Sequence, residues 1–463
     1  MPASLKREIT VISGTALVVS NMIGTGIFTT TGFLAGDLGR PSLVLGIWAV
    51  GAIVALAGCL SYAELGINLQ RSGGEYAYLR EAWGPTWGFV SGWVSFFAGF
   101  SAPIAAGALA LSLYLGKLVP ALAGSASPES HVWLNLGAPQ LVGIAVIAAL
   151  AIVNIRGLGL AVKLQNVLTA AKLGVVALFL VLAFTIGRGN WAHMGMATAR
   201  TSPHGLGAQF AVSLIFVMFA YSGWNAANYV IEEMKAPETT LPVALLFGTG
   251  MVALVYLALN TAYLYALPLE SLKGVVPVGA TSAAALFGQR AGGVFAGLFT
   301  VGLLSSVSAM ALIGPRVYYA MAQDACFPLS AARVHPRWHT PVNAILYQAA
   351  ASAVMVLTGT FEKLVYYIGF TLILCAAMAV AGLLRLRRRP GWRTLRVVNW
   401  CYPAIPLVFL VASAWMLAWT FLFHRQESLL GLLTVFCGAL VYHWKGRRKS
   451  ASPKKKFSSH SLY

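Results

Sequence analysis

Two stretches of this sequence put polar residues and glycines where a long apolar run has least use for them, and a third holds a lone charge. Asn21-Met22-Ile23-Gly24-Thr25-Gly26-Ile27-Phe28 places two glycines and a threonine near the middle of one run. Phe219-Ala220-Tyr221-Ser222-Gly223-Trp224-Asn225 does the same with Ser-Gly, and Lys172 stands inside a third run. Each glycine costs a helix roughly 1 kcal/mol against alanine. A break also frees backbone N–H and C=O groups, which away from water must find partners in protein or in a bound molecule. A half-helix that resumes after Gly24 to Gly26 presents free N–H groups and the positive end of its dipole, a seat for a carboxylate. The chemistry on offer is non-covalent: an anion held without a charged side chain.

Glycines in apolar helices also serve simply to let helices pack closely, and Gly24 and Gly26 alone are open to that reading. The second interruption alters the balance. The broken runs are the first and the sixth, so each opens a group of five, and paired interrupted helices in corresponding positions mark a solute site at the interface of an inverted repeat.

Covalent chemistry has little to work with. The eight histidines fall in loops or at the ends of apolar runs, and neither HExxH nor GxSxG occurs. A Ser-His hydrolase or a His-ligated metal would need histidine facing the interior. The five cysteines, Cys59, Cys326, Cys375, Cys401 and Cys437, are scattered singly with no CxxC pair and read as small core hydrophobes. No catalytic residue, metal ligand or cofactor site is expected. A membrane-embedded enzyme is the remote alternative.

The elements that must position these residues follow from composition. Of 463 residues, 58% are hydrophobic and 10% charged, with mean hydropathy +0.75, against roughly 25% charged in soluble domains. Apolar runs of about 20 residues, enough to cross about 30 Å of hydrocarbon as a helix, fall near 10–36, 43–67, 88–115, 139–154, 164–187, 209–234, 241–267, 291–322, 342–358, 361–384, 400–423 and 427–445. The expected fold is an all-α polytopic membrane protein with about twelve spans.

The net charge of +19 sits between the runs, not in a groove lined with aromatics, which argues against nucleic acid. Lys and Arg are retained on the cytoplasmic side. The clusters Arg385, Arg387, Arg388, Arg389, Arg393 and Arg396, and Lys445 to Lys456, therefore predict both termini in the cytoplasm and an even number of spans. The expected organisation is a cytoplasmic N-terminus (1–9), a first group of five helices (10–187), an external loop (188–208), a second group (209–384), two added helices (385–445) and a basic cytoplasmic tail (446–463). The tail reads as a topology-fixing charge run, with docking on anionic lipid as the alternative.

At the quoted residues the chain resembles the amino acid–polyamine–organocation superfamily, and within it the L-type amino acid transporter branch. NMIGTGIF in the first run carries the likeness, with CLSYAELG and SGGEYAYL around the end of the second, TAAKL in the fifth and FAYSGWNAANYVIEEMKAPETTLP through the sixth. It holds well from about residue 8 to 345 and thereafter only by hydropathy. The resemblance implies a LeuT-like pair of inverted five-helix repeats plus two C-terminal helices, and secondary active transport across the plasma membrane, a bacterial inner membrane, by alternating access. It also implies that Ile23, Gly24, Thr25 and Gly26 hold the substrate carboxylate, and that carbonyls at Phe219, Ala220 and Ser222, beside Gly223, hold its amino group. The Phe219 ring would gate the site, and Trp224 and Asn225 would brace the unwound segment. Lys172 would stand where sodium stands in sodium-coupled relatives, linking the first and fifth helices. At roughly 12 Å into its run, its stem could instead snorkel toward headgroups.

No acidic or basic residue other than Lys172 lies near the breaks, so the expected cargo is a neutral L-amino acid, moved by sodium-independent exchange or with protons. An amine or another small organic solute, or a channel, is the alternative; channels more often show charge rings or carbonyl filters. Ser305, Ser306 and Ser308 supply polarity on the eighth run. Glu64 reads either as part of a cytoplasmic gate or as an interfacial carboxylate capped by backbone, and Glu232 and Glu233 as a solvated cluster. The loop from Gly116 to Pro139 lacks the cysteine by which animal members join a heavy chain, so no disulfide-linked heavy chain is expected.

Overall fold

The structure, a computed structural model, describes residues 7–70, 73–122, 136–323 and 327–451, with side chains to 444. The start of the chain, the middle of the 116–139 loop, Cys326 and the end of the basic tail lie outside the described residues. Every regular element among them is helical, and the one β-type pairing is an isolated bridge between Ile9 and Met234.

Among the described residues eleven helices are long and apolar enough to cross a bilayer. The first to eighth are Val11–Thr29, Pro41–Leu69, Pro85–Leu118, Ala138–Arg156, Leu158–Thr185, Leu206–Glu233, Pro237–Ala266 and Gln289–Gln323; the tenth to twelfth are Phe361–Leu386, Ala404–Phe423 and Arg425–Trp444. The ninth apolar run forms a shorter helix, Val342–Thr358, of 17 residues, about 26 Å at 1.5 Å per residue. It completes the expected twelve while falling just short of a full crossing.

Local sequence explains where several of these helices begin. Pro41, Pro85 and Pro237 occupy first-turn positions, where a missing N–H costs nothing and the fixed φ suits the helix. Two shorter helices lie between spans: Glu75–Trp83 connects the second to the third, and Val278–Phe287 lies before the eighth. Gly84, at φ +100°, turns the connector into the third span.

Spans five apart in the chain pack against one another: second on seventh, third on eighth, fourth on ninth. Small residues make close approach possible. A Cβ on Gly248 would stand 2.7 Å from the Val18 side chain, and one on Gly51 2.4 Å from Val217, the small-residue packing usual where lipid gives helices no hydrophobic reason to associate. Large apolar side chains such as Phe247, Leu254 and Val411 remain exposed on the outside of the bundle. Against lipid such an exterior costs nothing, whereas in water it would drive aggregation.

Candidate functional site

The first span ends its N-terminal half at Met22. Ile23 (ψ 90°) and Gly24 (φ −129°, ψ −157°) are extended, and the helix resumes over Thr25–Thr29. The break is thus shorter than the expected Gly24 to Gly26. Thr25 and Gly26 already belong to the first turn of the second half-helix, because the Thr30 N–H bonds to the Gly26 carbonyl and the Thr29 hydroxyl to the Thr25 carbonyl. The N–H groups at the start of this half-helix have no carbonyl one turn back to bond, so they stay available to a ligand.

The sixth span breaks in the same region. Its helix runs Leu206–Tyr221, Ser222 is extended (ψ 143°), Gly223 takes φ +97°, and the chain continues as a 3-10 segment, Ala226–Glu233. Only glycine adopts that φ without strain. The two breaks cross each other directly. A Cβ on Gly26 would lie 2.5 Å from the Ala220 Cα, and one on Gly223 would lie 3.0 Å from the Asn21 carbonyl carbon. Glycine at both points lets two opened backbones touch.

Tyr256 of the seventh span joins them. Its hydroxyl lies 2.5 Å from the Met22 carbonyl and 2.8 Å from the Ala220 carbonyl, so its single proton is shared between the ends of two half-helices. The Ala220 carbonyl, expected from the resemblance to meet a ligand's amino group, is therefore already engaged within the protein. Phe219 O also accepts an internal bond, from Ser222 N at 3.1 Å, but keeps a second lone pair. Across from the first break, Ser306 Oγ stands 3.7 Å from where a Gly24 Cβ would be. Ser305 lies 3.5 Å from the Thr169 hydroxyl, and Ser308 is buried.

Lys172 is 1% exposed, and its Nζ donates to the Ser20 carbonyl at 2.9 Å. The stem runs beside Phe28 and Gly302, so it points into the bundle and not toward headgroups. Trp224 packs edge-on against Tyr62 at 4.7 Å and against Phe409 at 6.0 Å. Asn225 Nδ2 donates to Glu75 Oε1 at 3.2 Å, and the Tyr62 hydroxyl donates to the same oxygen at 2.9 Å. Glu64 is fully buried beneath the loop after the tenth span. It lies 2.9 Å from Arg387 Nε as an ion pair and accepts from Trp392 Nε1 at 3.0 Å and Leu395 N at 3.1 Å. Glu233 meets the chain start through its carbonyl, which accepts from Glu8 and Ile9 N.

Aromatic contacts join the first, sixth and tenth spans on the side away from the N-terminus. Phe33 stacks on Phe216 and Phe361 (5.0 and 6.0 Å), Phe219 meets Phe361 at 6.3 Å, and Gly274 N bonds to Gly32 O. On the N-terminal side the first half-helix leans on the seventh span and leaves Ile12 82% exposed. A separate small cavity behind Val307, lined also by Ile104, Leu150, Gln348 and Ser352, lies on the fourth- and ninth-span side of the third and eighth spans.

Sequence reasoning left Tyr256, Glu75 and Tyr62 without a role. For Tyr256 the signal was available: with Asn260 one turn on, it forms a polar pair on one face of an apolar run. For Glu75 there was none, since its partners lie 13 and 150 residues away. Among the described residues no group of His, Cys, Asp and Glu is arranged to hold a metal.

The amino acid permease family matches residues 9–441. The serine/threonine exchanger SteT of Bacillus subtilis is 30% identical, over 96% of this chain and 98% of its own. Asc-type amino acid transporter 1 of Mus musculus is 28% identical over 96% of this chain and 83% of its own length. The large neutral amino acids transporter small subunit 2 of Homo sapiens is likewise 28% identical, over 97% and 83%. With two crossed helix breaks inside a bundle of apolar helices and a family match along nearly its whole length, this chain belongs to the amino acid permease family: it is a multi-pass membrane transporter and not an enzyme.

Proposed function

We propose that the protein moves neutral L-amino acids across the bacterial inner membrane by alternating access, independently of sodium, with both termini in the cytoplasm. The observation that carries this reading is the contact of the two breaks, Gly26 on Ala220 and Gly223 on Asn21. It brings the start of the Thr25–Thr29 half-helix against Ala220, between Phe219 and the extended Ser222 in the chain. An α-carboxylate would meet the free N–H groups of that half-helix, and an α-ammonium the Ser222 carbonyl and the remaining lone pair of the Phe219 carbonyl. The side chain would then face Ser306 and the Phe219 ring. Of the charged groups beside the breaks, Lys172 is committed to Ser20 and Glu75 to Tyr62 and Asn225, so neither is offered as a counter-ion to a charged side chain.

Lys172 would hold the first half-helix as a tethered cation, which supports transport without sodium. The aromatic contacts of Phe33, Phe219 and Phe361 would form the external gate, and the arrangement would be open toward the cytoplasm. Exchange is favoured over net uptake by the likeness to SteT, itself a serine/threonine exchanger.

The test is uptake of labelled amino acids into sodium-free proteoliposomes, with and without unlabelled amino acid inside. Saturable uptake of serine-, threonine- or leucine-like substrates that needs internal substrate supports exchange. Uptake into empty vesicles that grows with an inward proton gradient would replace exchange by symport. Absence of saturable uptake for all neutral amino acids would reject the substrate class.

A further inference from the structure

Glu75 opens the connector helix Glu75–Trp83, outside the membrane spans, and its carboxylate is where three elements meet. From the second span, Tyr62 donates to Oε1 at 2.9 Å; from the sixth, just past its break, Asn225 donates to the same oxygen at 3.2 Å. Both donors are tied to the break itself. Asn225 precedes the 3-10 segment Ala226–Glu233, and Tyr62 packs on Trp224. One turn along the connector, the Tyr78 hydroxyl donates to Asn228 Oδ1 at 2.8 Å, and Gly74 is pressed against the Tyr229 ring, 2.9 Å from a Cβ built on it. The connector thus grips the cytoplasmic half of the broken sixth helix at two successive turns.

The titratable groups facing Glu75 are Tyr62 from the second span, Tyr78 from its own helix, Tyr229 from the sixth span and Cys375 from the tenth. None is a cation. Of the charges on and around the connector, Glu81 pairs with Arg389, Arg385 lies over the Trp83 ring, and Arg80 is exposed, its Cβ against Gly88 of the third span. A carboxylate held by two neutral donors, with no counter-ion among the described residues, is poorly stabilised in its ionised form. Burial accordingly pushes the Glu75 carboxyl up to about 7, against the smaller opposing effect of the Tyr62 hydrogen bond. The residue remains partly exposed, so protons can reach it.

We propose that Glu75 is a protonatable positioning residue that ties the sixth-helix break to the connector, so that cytoplasmic proton concentration sets the balance between the present arrangement and the one open to the other side. The inference rests on the transporter reading above. The sign follows from linkage: a carboxyl harder to ionise here than in water binds its proton more tightly here, so acid favours this arrangement. Ionisation above neutrality favours any arrangement in which the carboxylate is again solvated. The neutral acid still accepts from Tyr62 and Asn225 through its carbonyl oxygen, so the grip survives protonation.

The experiment labels an Ala16→Cys variant with a thiol reagent in proteoliposomes at internal pH 6 to 8. Ala16 lies on the exposed face of the first half-helix, and exposed Cys401 serves as the standard for the reagent's own pH dependence. Relative labelling should fall at least about three-fold from pH 6 to 8. With Glu75→Gln, whose amide imitates the neutral acid, it should stay at the pH 6 value throughout. Tyr62→Phe removes a donor that favours the ionised form, and its midpoint should move to higher pH. A pH-independent parent, or a Glu75→Gln variant that keeps the parent's profile, overturns the inference. Uptake measured in the same vesicles separates this result from failure of the transporter reading, which would abolish transport while leaving the labelling profile legible.

Discussion

A lysine ammonium inside a bilayer costs several kcal/mol unless something replaces its water. At Lys172 the replacement is the Ser20 carbonyl, 2.9 Å away. Ser20 lies in the last turn of the first half-helix, where carbonyls lack an N–H to receive and the dipole is negative, so a cation there satisfies an orphan acceptor and the local field together. Lys172→Met should therefore loosen the first break while keeping the packing of the stem. Uptake should fall by about ten-fold or more, from the loss of a charge-assisted bond of about 1.5 kcal/mol, at unchanged protein level in the membrane, and sodium should not restore it. Activity near that of the parent would mean that Ser20 is satisfied some other way and that the lysine is not the brace.

At the scale of elements, the two breaks are compatible only because glycine stands at both crossing points. Gly26 leaves no room for a methyl against Ala220, where the partner atom is backbone and cannot swing aside. Gly26→Ala should push the first and sixth spans apart and abolish saturable uptake. Gly46→Ala is the matched control in the second span, since nothing lies within 4 Å of its Cβ position, and it should leave uptake within about two-fold, as surface substitutions do. Equal loss in the two variants would show that any added methyl is harmful and that the crossing is not special. The connector helix and the loop after the tenth span act at the same scale. Asn68 makes two bonds to the Arg393 backbone, and Arg393 also pairs with Glu238 at the start of the seventh span. The loop therefore straps the second and seventh spans together.

For the whole molecule, the strap matters because lipid supplies little attraction between helices. Glu64 lies entirely inside it, with Arg387 9% exposed. A buried pair adds little relative to a well-packed apolar one, but breaking it leaves an uncompensated charge, at a cost of about 3–5 kcal/mol. Glu64→Gln should lower the thermal unfolding midpoint in detergent by several degrees, followed by size-exclusion chromatography of heated samples, and should do so with or without substrate. An unchanged midpoint would show that Arg387 finds another acceptor, with its ring contact to Tyr402 at 3.9 Å as the remaining anchor.

Features that depend on short-range composition were legible along the chain. Apolar runs are set by the thickness of the bilayer, so the spans were legible even where the ninth, Val342–Thr358, is short. Gly24 and Gly223 stand beside polar residues in corresponding runs, a local pattern, so both interruptions were legible to within a residue or two. Lys172 was conspicuous because any charge in such a run is. Tertiary structure decided which polar groups meet. That Tyr256 spans both breaks, that Glu75 receives Tyr62 and Asn225, and that Glu64 receives Arg387 and Trp392 are pairings across 13 to 328 residues. Hydropathy is a sum over neighbours in the chain, whereas a hydrogen bond depends on which helix faces are turned toward each other, and that is settled only when the bundle packs.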